Sequence, residues 1–138
     1  MENKLKAGLD KYNDWYRAII FDSNCNIIAK KNCDALKNGE LKEFLTCMDD
    51  RDTTIGKGFR FCGNDFQCFR FHVPLAYGRR GGAEGGPDEC EGICVARINK
   101  DNTKYWMVIT YVYPIVSARA ISIIPDFLKE VDFGKLDE

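Results

Sequence analysis

The residues of this chain that could do chemistry are few and poorly grouped. Its one histidine, His72, has no nucleophile motif near it, and a place on a strand surface explains it better than a general base does. A set of carboxylates surrounds a glycine-rich stretch, which cannot hold them at the fixed separation that acid–base catalysis needs: Glu84, Asp88, Glu89 and Glu91. That stretch also lacks the G-K-[ST] ending of a phosphate-binding loop. The sequence therefore predicts a protein that is not an enzyme.

The cysteines are odd in number and scattered, with no C-x-x-C pair: Cys25, Cys33, Cys47, Cys62, Cys68, Cys90 and Cys94. With only one histidine beside them, they predict no structural zinc site, and we expect neither a metal nor a cofactor. The N-terminus MENKLKAGLDKYND lacks the apolar stretch of a secretory signal. We therefore expect reduced thiols in a cytoplasmic protein.

Charge and composition narrow the possible partners. The 138 residues are 45% hydrophobic and 30% charged, which predicts one soluble domain spanning residues 1–138, expected to be a monomer. A net charge of −1 argues against bulk attraction to nucleic acid or membrane, so a charged partner must meet a local patch. No apolar run approaches the ~20 residues of a membrane-spanning helix.

Short β-rich segments separated by polar turns dominate the pattern and predict an antiparallel sheet. We predict a helix over 2–12, a hairpin of Trp15–Ile20 with Cys25–Ala29, and one or two short helices within 34–48. Asp49–Asp52 is interpreted as a charged connection. Strands follow at about 56–62, 66–72, 74–79, 91–98 and 104–111, with breaks at Gly63-Asn64-Asp65, Tyr77-Gly78-Arg79 and Asn99-Lys100-Asp101.

The chain closes on a predicted helix over 115–131, and Pro125 either kinks that helix or lies in the first turn of a later one. The glycine-rich insert Arg79–Pro87 is predicted to be a surface loop.

The order of these elements, and the residues at their joints, resemble profilin, the small actin-monomer-binding protein. The local marks are G-x-x-F-x-C-x-R from Gly63, Y-G-R from Tyr77, E-G-x-x-V-x-R from Glu91 and T-Y-x-x-P from Thr110. The resemblance implies an α+β fold: a profilin-like antiparallel sheet with the N- and C-terminal helices on one face and short helices on the other. It also implies that the protein binds monomeric actin, regulates filament assembly and works at the cytoskeleton.

The resemblance implies an actin-binding surface in two halves. Basic residues on the strands form the first half, and residues at the start of the last helix form the second: Arg70, Arg79 and Arg97, then Val116, Ser117, Ala118, Arg119 and Ser122. The family usually has a glycine in place of Ala118. Arginine suits such a surface because it forms bidentate hydrogen bonds with carboxylates and phosphates, and phosphoinositides are a further possible partner.

Profilins also capture proline-rich peptides on aromatic rings from both terminal helices, and here this chain departs from the family. Residues 2–9 contain no aromatic side chain, and Ile28 stands where the family has a strand tryptophan. Phe127, Leu128 and Phe133 match the contribution of the C-terminal helix. Tyr12, Trp15 and Tyr16 lie near the N-terminal helix, but we expect them to pack in the core. We therefore predict weak or altered binding of proline-rich ligands.

An alternative is a phosphoinositide- or partner-binding α/β sandwich of the PAS-like or longin-like kind, without actin activity. A PAS-like domain needs a ligand cavity, whereas phenylalanines fill these strands: Phe59, Phe61, Phe66, Phe69 and Phe71. A longin-like module stays open, and only a binding experiment separates it from an actin binder.

Overall fold

The computed structural model describes residues 2–82 and 86–137, apart from the side chain of Glu2. The helices are α1 (Glu2–Lys11), a 3-10 helix (Glu40–Thr46), α2 (Arg51–Lys57), α3 (Ser117–Ser122) and α4 (Ile124–Glu130). The strands are β1 (Arg17–Asp22), β2 (Ile27–Lys31), β3 (Phe59–Phe61), β4 (Asn64–His72), β5 (Leu75–Arg80), β6 (Glu91–Lys100), β7 (Thr103–Tyr111) and β8 (Lys135–Leu136).

The strands form one curled antiparallel sheet in the order β2-β1-β7-β6-β5-β4-β3. The two-residue strand β8 pairs with β6 at Ile98 and Asn99, just past the point where the pairing of β5 with β6 ends at Ala96. It therefore extends the line of β5. β2 and β3 form the two edges of this order.

Alternation along the strands builds a core on each side of the sheet, since successive side chains point to opposite faces. On β1, Ala18 and Ile20 face a first core, which α1, α3 and α4 cover. Ile19 and Phe21 face a second core, which the 3-10 helix and α2 cover. The predicted α+β architecture, with terminal helices on one face and short helices on the other, is confirmed.

One predicted connection is a helix. Asp49–Asp52 was interpreted as a charged link into a strand over 56–62, but residues Arg51–Lys57 form α2 and the strand is limited to Phe59–Phe61. Asp50 precedes the first turn and accepts a hydrogen bond from the Thr53 hydroxyl, and the buried Thr54 hydroxyl donates to the carbonyl of Cys47 at 2.6 Å. Two threonines and a glycine give this segment little intrinsic helix propensity, so tertiary contacts outweigh its sequence pattern.

The C-terminal helical segment is divided. Ile123 separates α3 from α4, and Pro125 lies in the first turn of α4. The absence of a backbone N–H on proline costs nothing at that position, because the first N–H groups of a helix have no intrahelical partner. Of the two predicted placements of Pro125, the first-turn placement is therefore correct.

The prediction of a break between strands at Tyr77-Gly78-Arg79 is wrong, because these three residues lie inside β5. A Cβ on Gly78 would stand 1.7 Å from the carbonyl oxygen of Gln67 on β4. The glycine therefore marks a close approach of two backbones rather than a turn.

Glu91, one of the carboxylates beside the glycine-rich stretch, lies in the strand predicted at about 91–98 and not in a flexible setting. It begins β6, is fully buried, and accepts hydrogen bonds from Arg17 Nε at 3.1 Å and Arg80 Nη2 at 2.9 Å. This charged cluster ties three strands together. Glu84, within the glycine-rich insert, lies outside the described part of the chain.

Candidate functional site

A wide surface depression lies between the outer strands β4 and β5 and the turn that leads into α3. We call it the β4–α3 groove; it is open to solvent and has a volume of about 640 Å³. Its lining comprises Phe69, Arg70, Tyr77, Gly78, Arg79, Tyr111, Tyr113, Pro114, Ile115, Val116 and Ser117.

A β-bulge on β4 presents one wall of the groove. The pairing with β5 shifts between Cys68, which faces Gly78, and Arg70, which faces Tyr77, so that Phe69 is an extra residue in the strand. Bulges of this kind turn a side chain away from the regular alternation. Phe69 is consequently 57% exposed although it lies within a strand.

The floor of the groove is the ring of Tyr111, which lies flat against β6. A Cβ at Gly92 would come within 2.2 Å of that ring, so only glycine permits the contact. Burial, together with the nearby Cys94, raises the pKa of Tyr111 to about 12, and the positive charge of Arg79 opposes that rise. The phenol therefore stays protonated at neutral pH, hydrogen-bonded to the side chain of Ser117.

The rim combines exposed apolar side chains with positive charge. Tyr113 and Val116 are 56% and 62% exposed, and with Phe69 they are three of the five large hydrophobic residues that the described surface leaves exposed. Arg70 is exposed beside them, and Arg79 is held by a hydrogen bond from Nη1 to the carbonyl of Gly82 at 2.6 Å. Apolar anchors flanked by arginine are typical of protein-binding surfaces.

The structure brings together most of the residues that were predicted for the actin-binding surface. Arg70, Arg79, Val116 and Ser117 line the groove itself. Ala118 and Ser122 continue the surface along α3, where they line a shallower hollow beside Tyr77. Arg119 is also on α3, but its Nε donates to Asp14 at 2.9 Å, toward the N-terminal segment.

Arg97 lies away from this group. It follows Ile93 and Val95 on the face of the second core, and it is five residues along β6 from Gly92, the partner of Arg79. That separation is about 17 Å along the strand. Arg97 pairs with Asp137 at 2.8 Å, and Lys104 and Arg97 together lower the pKa of that carboxyl.

The residues that were matched to the proline-rich ligand site lie inside the first core. Phe127 and Phe133 are fully buried and Leu128 nearly so, while Ile28 is half-buried against them. Trp15 is also buried, and its indole Nε1 donates to the carbonyl of Ala120 at 2.9 Å.

The two terminal helices pack too closely to leave a groove lined by these rings. A Cβ on Gly8 of α1 would stand 2.7 Å from Val131 and 2.9 Å from Phe127. Glu130 at the end of α4 joins the helices from outside, where it accepts from Lys11 Nζ and, at 2.8 Å, from the Tyr12 hydroxyl. Aromatic rings are present between these helices, but they pack in the first core and are not exposed to a ligand.

Phe69 and Tyr113 are site residues that the sequence analysis did not identify. Phe69 was assigned to the packed strands with the other phenylalanines. The signal was a change of parity: Phe66 and Cys68 alternate toward the second core, and the next residue on that face is Phe71. An odd step within an alternating strand indicates a bulge, and therefore an outward-facing residue between the two runs.

Within the described residues, no group of side chains could hold a metal ion, and none of the helices has the length and apolar character needed to cross a membrane.

No family model matches the sequence, and no curated protein matches it. Solved structures do. Acanthamoeba castellanii profilin IA is 17% identical with a TM-score of 0.72, covering 96% of this chain and 94% of its own. Schizosaccharomyces pombe profilin is 17% identical with a TM-score of 0.68, covering 96% and 98%. Acanthamoeba castellanii profilin II is 15% identical with a TM-score of 0.66, covering 92% and 90%. The chain thus has a divergent profilin-like fold.

Proposed function

We propose that this protein binds monomeric actin through the β4–α3 groove and the exposed side of α3, and so regulates filament assembly. The observation that carries the proposal is the convergence of Arg70, Arg79, Val116 and Ser117 on one groove of a profilin-like fold. All four are among the eight residues that the profilin resemblance implies for an actin-binding surface. The protein acts by occupying a face of its partner, in the cytoplasm and at the cytoskeleton, and catalyses no covalent step.

The chemistry of the groove supports a protein partner. Phe69, Tyr113 and Val116 expose apolar area that a partner would remove from water, at ~25 cal/mol per Å². The two arginines, Arg70 and Arg79, would pair with carboxylates and set the orientation of the complex. A matching partner face is apolar at its centre and acidic at its rim.

Pyrene-actin assembly and calorimetry test the proposal directly. We expect stoichiometric protein to lengthen the lag before spontaneous nucleation and to give saturable heat on titration into monomeric actin. An unchanged lag together with no heat of binding would contradict it.

Charge reversal locates the surface. Arg70→Glu should weaken actin binding about tenfold or more, because close charge pairs at interfaces couple by ~1.5–7 kcal/mol. Arg51→Glu is the matched control: it makes the same change on α2, on the opposite face of the sheet, at an exposed residue that pairs with the exposed Asp52. Equal weakening by both variants would show a general charge effect and not a site.

Weak binding of proline-rich ligands is part of the proposal. The burial of the rings that would contact such a ligand supports it, since Phe127, Phe133 and Trp15 are each at most 1% exposed. A peptide could reach them only if α1 and α4 separated.

Phosphoinositide binding is a second candidate at the same arginines, because two guanidinium groups beside an open groove suit phosphate. Co-sedimentation with vesicles that contain phosphatidylinositol bisphosphate tests it, and Arg70→Glu should abolish the pelleting. A PAS-like ligand-binding role has less support, because the second core is filled by the ring of Phe44, which packs against Phe21, Phe59 and Phe61.

A further inference from the structure

The two edges of the sheet come together at a pair of cysteines. β2 and β3 are the edge strands of the sheet, six strand positions apart, yet the sheet is curled. Cys33 lies two residues after the end of β2, and Cys62 directly follows β3. Both belong to the second core, at 2% and 5% exposure. Their side chains are hydrogen-bonded to each other, so the contact spans the opening of the curl.

Hydrogen bonds fix the sulfur of Cys33 and the backbone of Cys62. Cys33 Sγ lies 3.4 Å from the carbonyl of Ala18 and 3.2 Å from that of Lys31. On the other side, the N–H of Cys62 donates to Glu40 Oε1 at 2.8 Å. Formation of a disulfide would bring the two sulfurs from this hydrogen-bonded contact to the ~2.05 Å of an S–S bond.

The surroundings shift the pKa values of the two thiols in opposite directions. The hydrogen bond from Cys62 and the nearby charge of Arg17 lower the pKa of Cys33, while the same hydrogen bond and burial raise the pKa of Cys62. A thiol with a lowered pKa reacts first with an oxidant, and a neighbouring thiol then resolves the product.

We propose that Cys33 and Cys62 form a reversible disulfide under oxidation, which closes the curled sheet covalently from edge to edge. With hydrogen peroxide, the Cys33 thiolate attacks one oxygen, the O–O bond breaks and hydroxide leaves, giving a sulfenic acid. Cys62 sulfur then attacks that sulfur and the S–O bond breaks. Two thiols and one peroxide thus give one disulfide and two waters, and a thiol reductant reverses the change.

The bond would enclose residues 34–61, which carry the 3-10 helix and α2. Closing a loop of this size restricts the unfolded chain and stabilises the folded one. We expect the midpoint of thermal unfolding to rise by roughly 5–15 °C on oxidation, and to return to its starting value with dithiothreitol.

The test is peptide mapping after brief treatment of the full chain with peroxide, followed by alkylation and tryptic digestion. The result expected is a cross-link between peptide 32–37, which carries Cys33, and peptide 61–70. The second peptide carries both Cys62 and Cys68, so fragment ions between them assign the bond. The mass of the intact, unalkylated protein should fall by the mass of two hydrogen atoms.

Cys62→Ser should abolish the cross-link and the thermal shift, whereas the matched control Cys68→Ser, a buried thiol on the next strand, should keep both. Mapping of the unsubstituted chain settles the question even if Cys62→Ser does not fold. A cross-link to Cys68, or oxidation of the more exposed Cys25 with Cys33 and Cys62 left as thiols, would overturn the proposal.

Discussion

The β4–α3 groove and the α1–α4 helix pair are both rich in aromatic side chains, and they use them in opposite ways. In the groove, Phe69 and Tyr113 are more than half exposed. Between the helices, Trp15, Phe127 and the half-buried Tyr12 pack ring on ring with centroids 5.0–5.4 Å apart. Both regions lie on the side of the sheet that α1, α3 and α4 cover.

The difference comes from the backbone and not from the residue types. A bulge on β4 turns Phe69 outward, while Gly8 lets α1 approach α4 until their side chains touch. An aromatic residue is therefore available to a partner only where the local backbone keeps it away from the core. The predictions that follow test this comparison.

Phe127→Ala should have the largest effect, on stability. Removing a fully buried phenylalanine costs ~3–5 kcal/mol through lost transfer energy and the cavity left behind. Phe69→Ala, the same change in the groove, should shift the free energy of unfolding by less than ~0.5 kcal/mol. Urea denaturation measures both, and similar losses from the two variants would remove the distinction between the regions.

Phe69→Ala should instead weaken actin binding, by about tenfold or more, because buried aromatic anchors dominate interface energies. Calorimetry against monomeric actin measures the change. Val73→Ala is the control, since Val73 is 44% exposed in the turn after β4 and does not line the groove. An affinity unchanged by Phe69→Ala, in a chain that does bind actin, would place the apolar contact elsewhere.

Glu130→Gln should have a small, pH-dependent effect on the closed helix pair. Hydrogen bonds from Lys11 and Tyr12 hold the pKa of Glu130 below its ordinary value of 4.5. Its contribution is therefore present above that value and is lost as the pH falls through the lower, folded-state pKa. Unfolding midpoints of the two proteins should differ at pH 7 and converge in strong acid. A difference that persists there would assign the effect to something other than ionisation.

A decaproline-type peptide should produce the smallest response of all. Because its rings are buried, the chain should show no saturable binding below millimolar peptide. A profilin with an open aromatic groove should bind more tightly, and each tenfold difference in affinity corresponds to ~1.4 kcal/mol of binding free energy. NMR titration detects it, and saturation at tens of micromolar would show that the helices open.

Much of the fold could be predicted from the sequence, because alternation and turn residues act locally. The hairpin through Asn99-Lys100-Asp101 and the first-turn position of Pro125 follow from such signals. α2 was missed because Thr54 stabilises it through a contact with Cys47, a partner outside the segment.

The site was harder to predict because it depends on register. Arg79 and Arg97 share a residue type and lie on neighbouring strands, but alternation sends them to opposite faces of the sheet, as their pairing partners Gly92 and Trp106 show. A one-residue difference in parity reverses the face. The change of parity between Cys68 and Phe71 indicates the bulge, and the shifted pairing of β4 with β5 locates it at Phe69.

The two tryptophans give each side of the sheet its own fluorescent reporter. Trp15 lies in the first core beside Tyr12, and Trp106 lies in the second, stacked at 6.4 Å on Phe21. Trp106→Phe would leave an emission that reports only on the helix pair, and Trp15→Phe one that reports only on the opposite side. Single-tryptophan proteins can thus show whether the two cores melt together or one before the other.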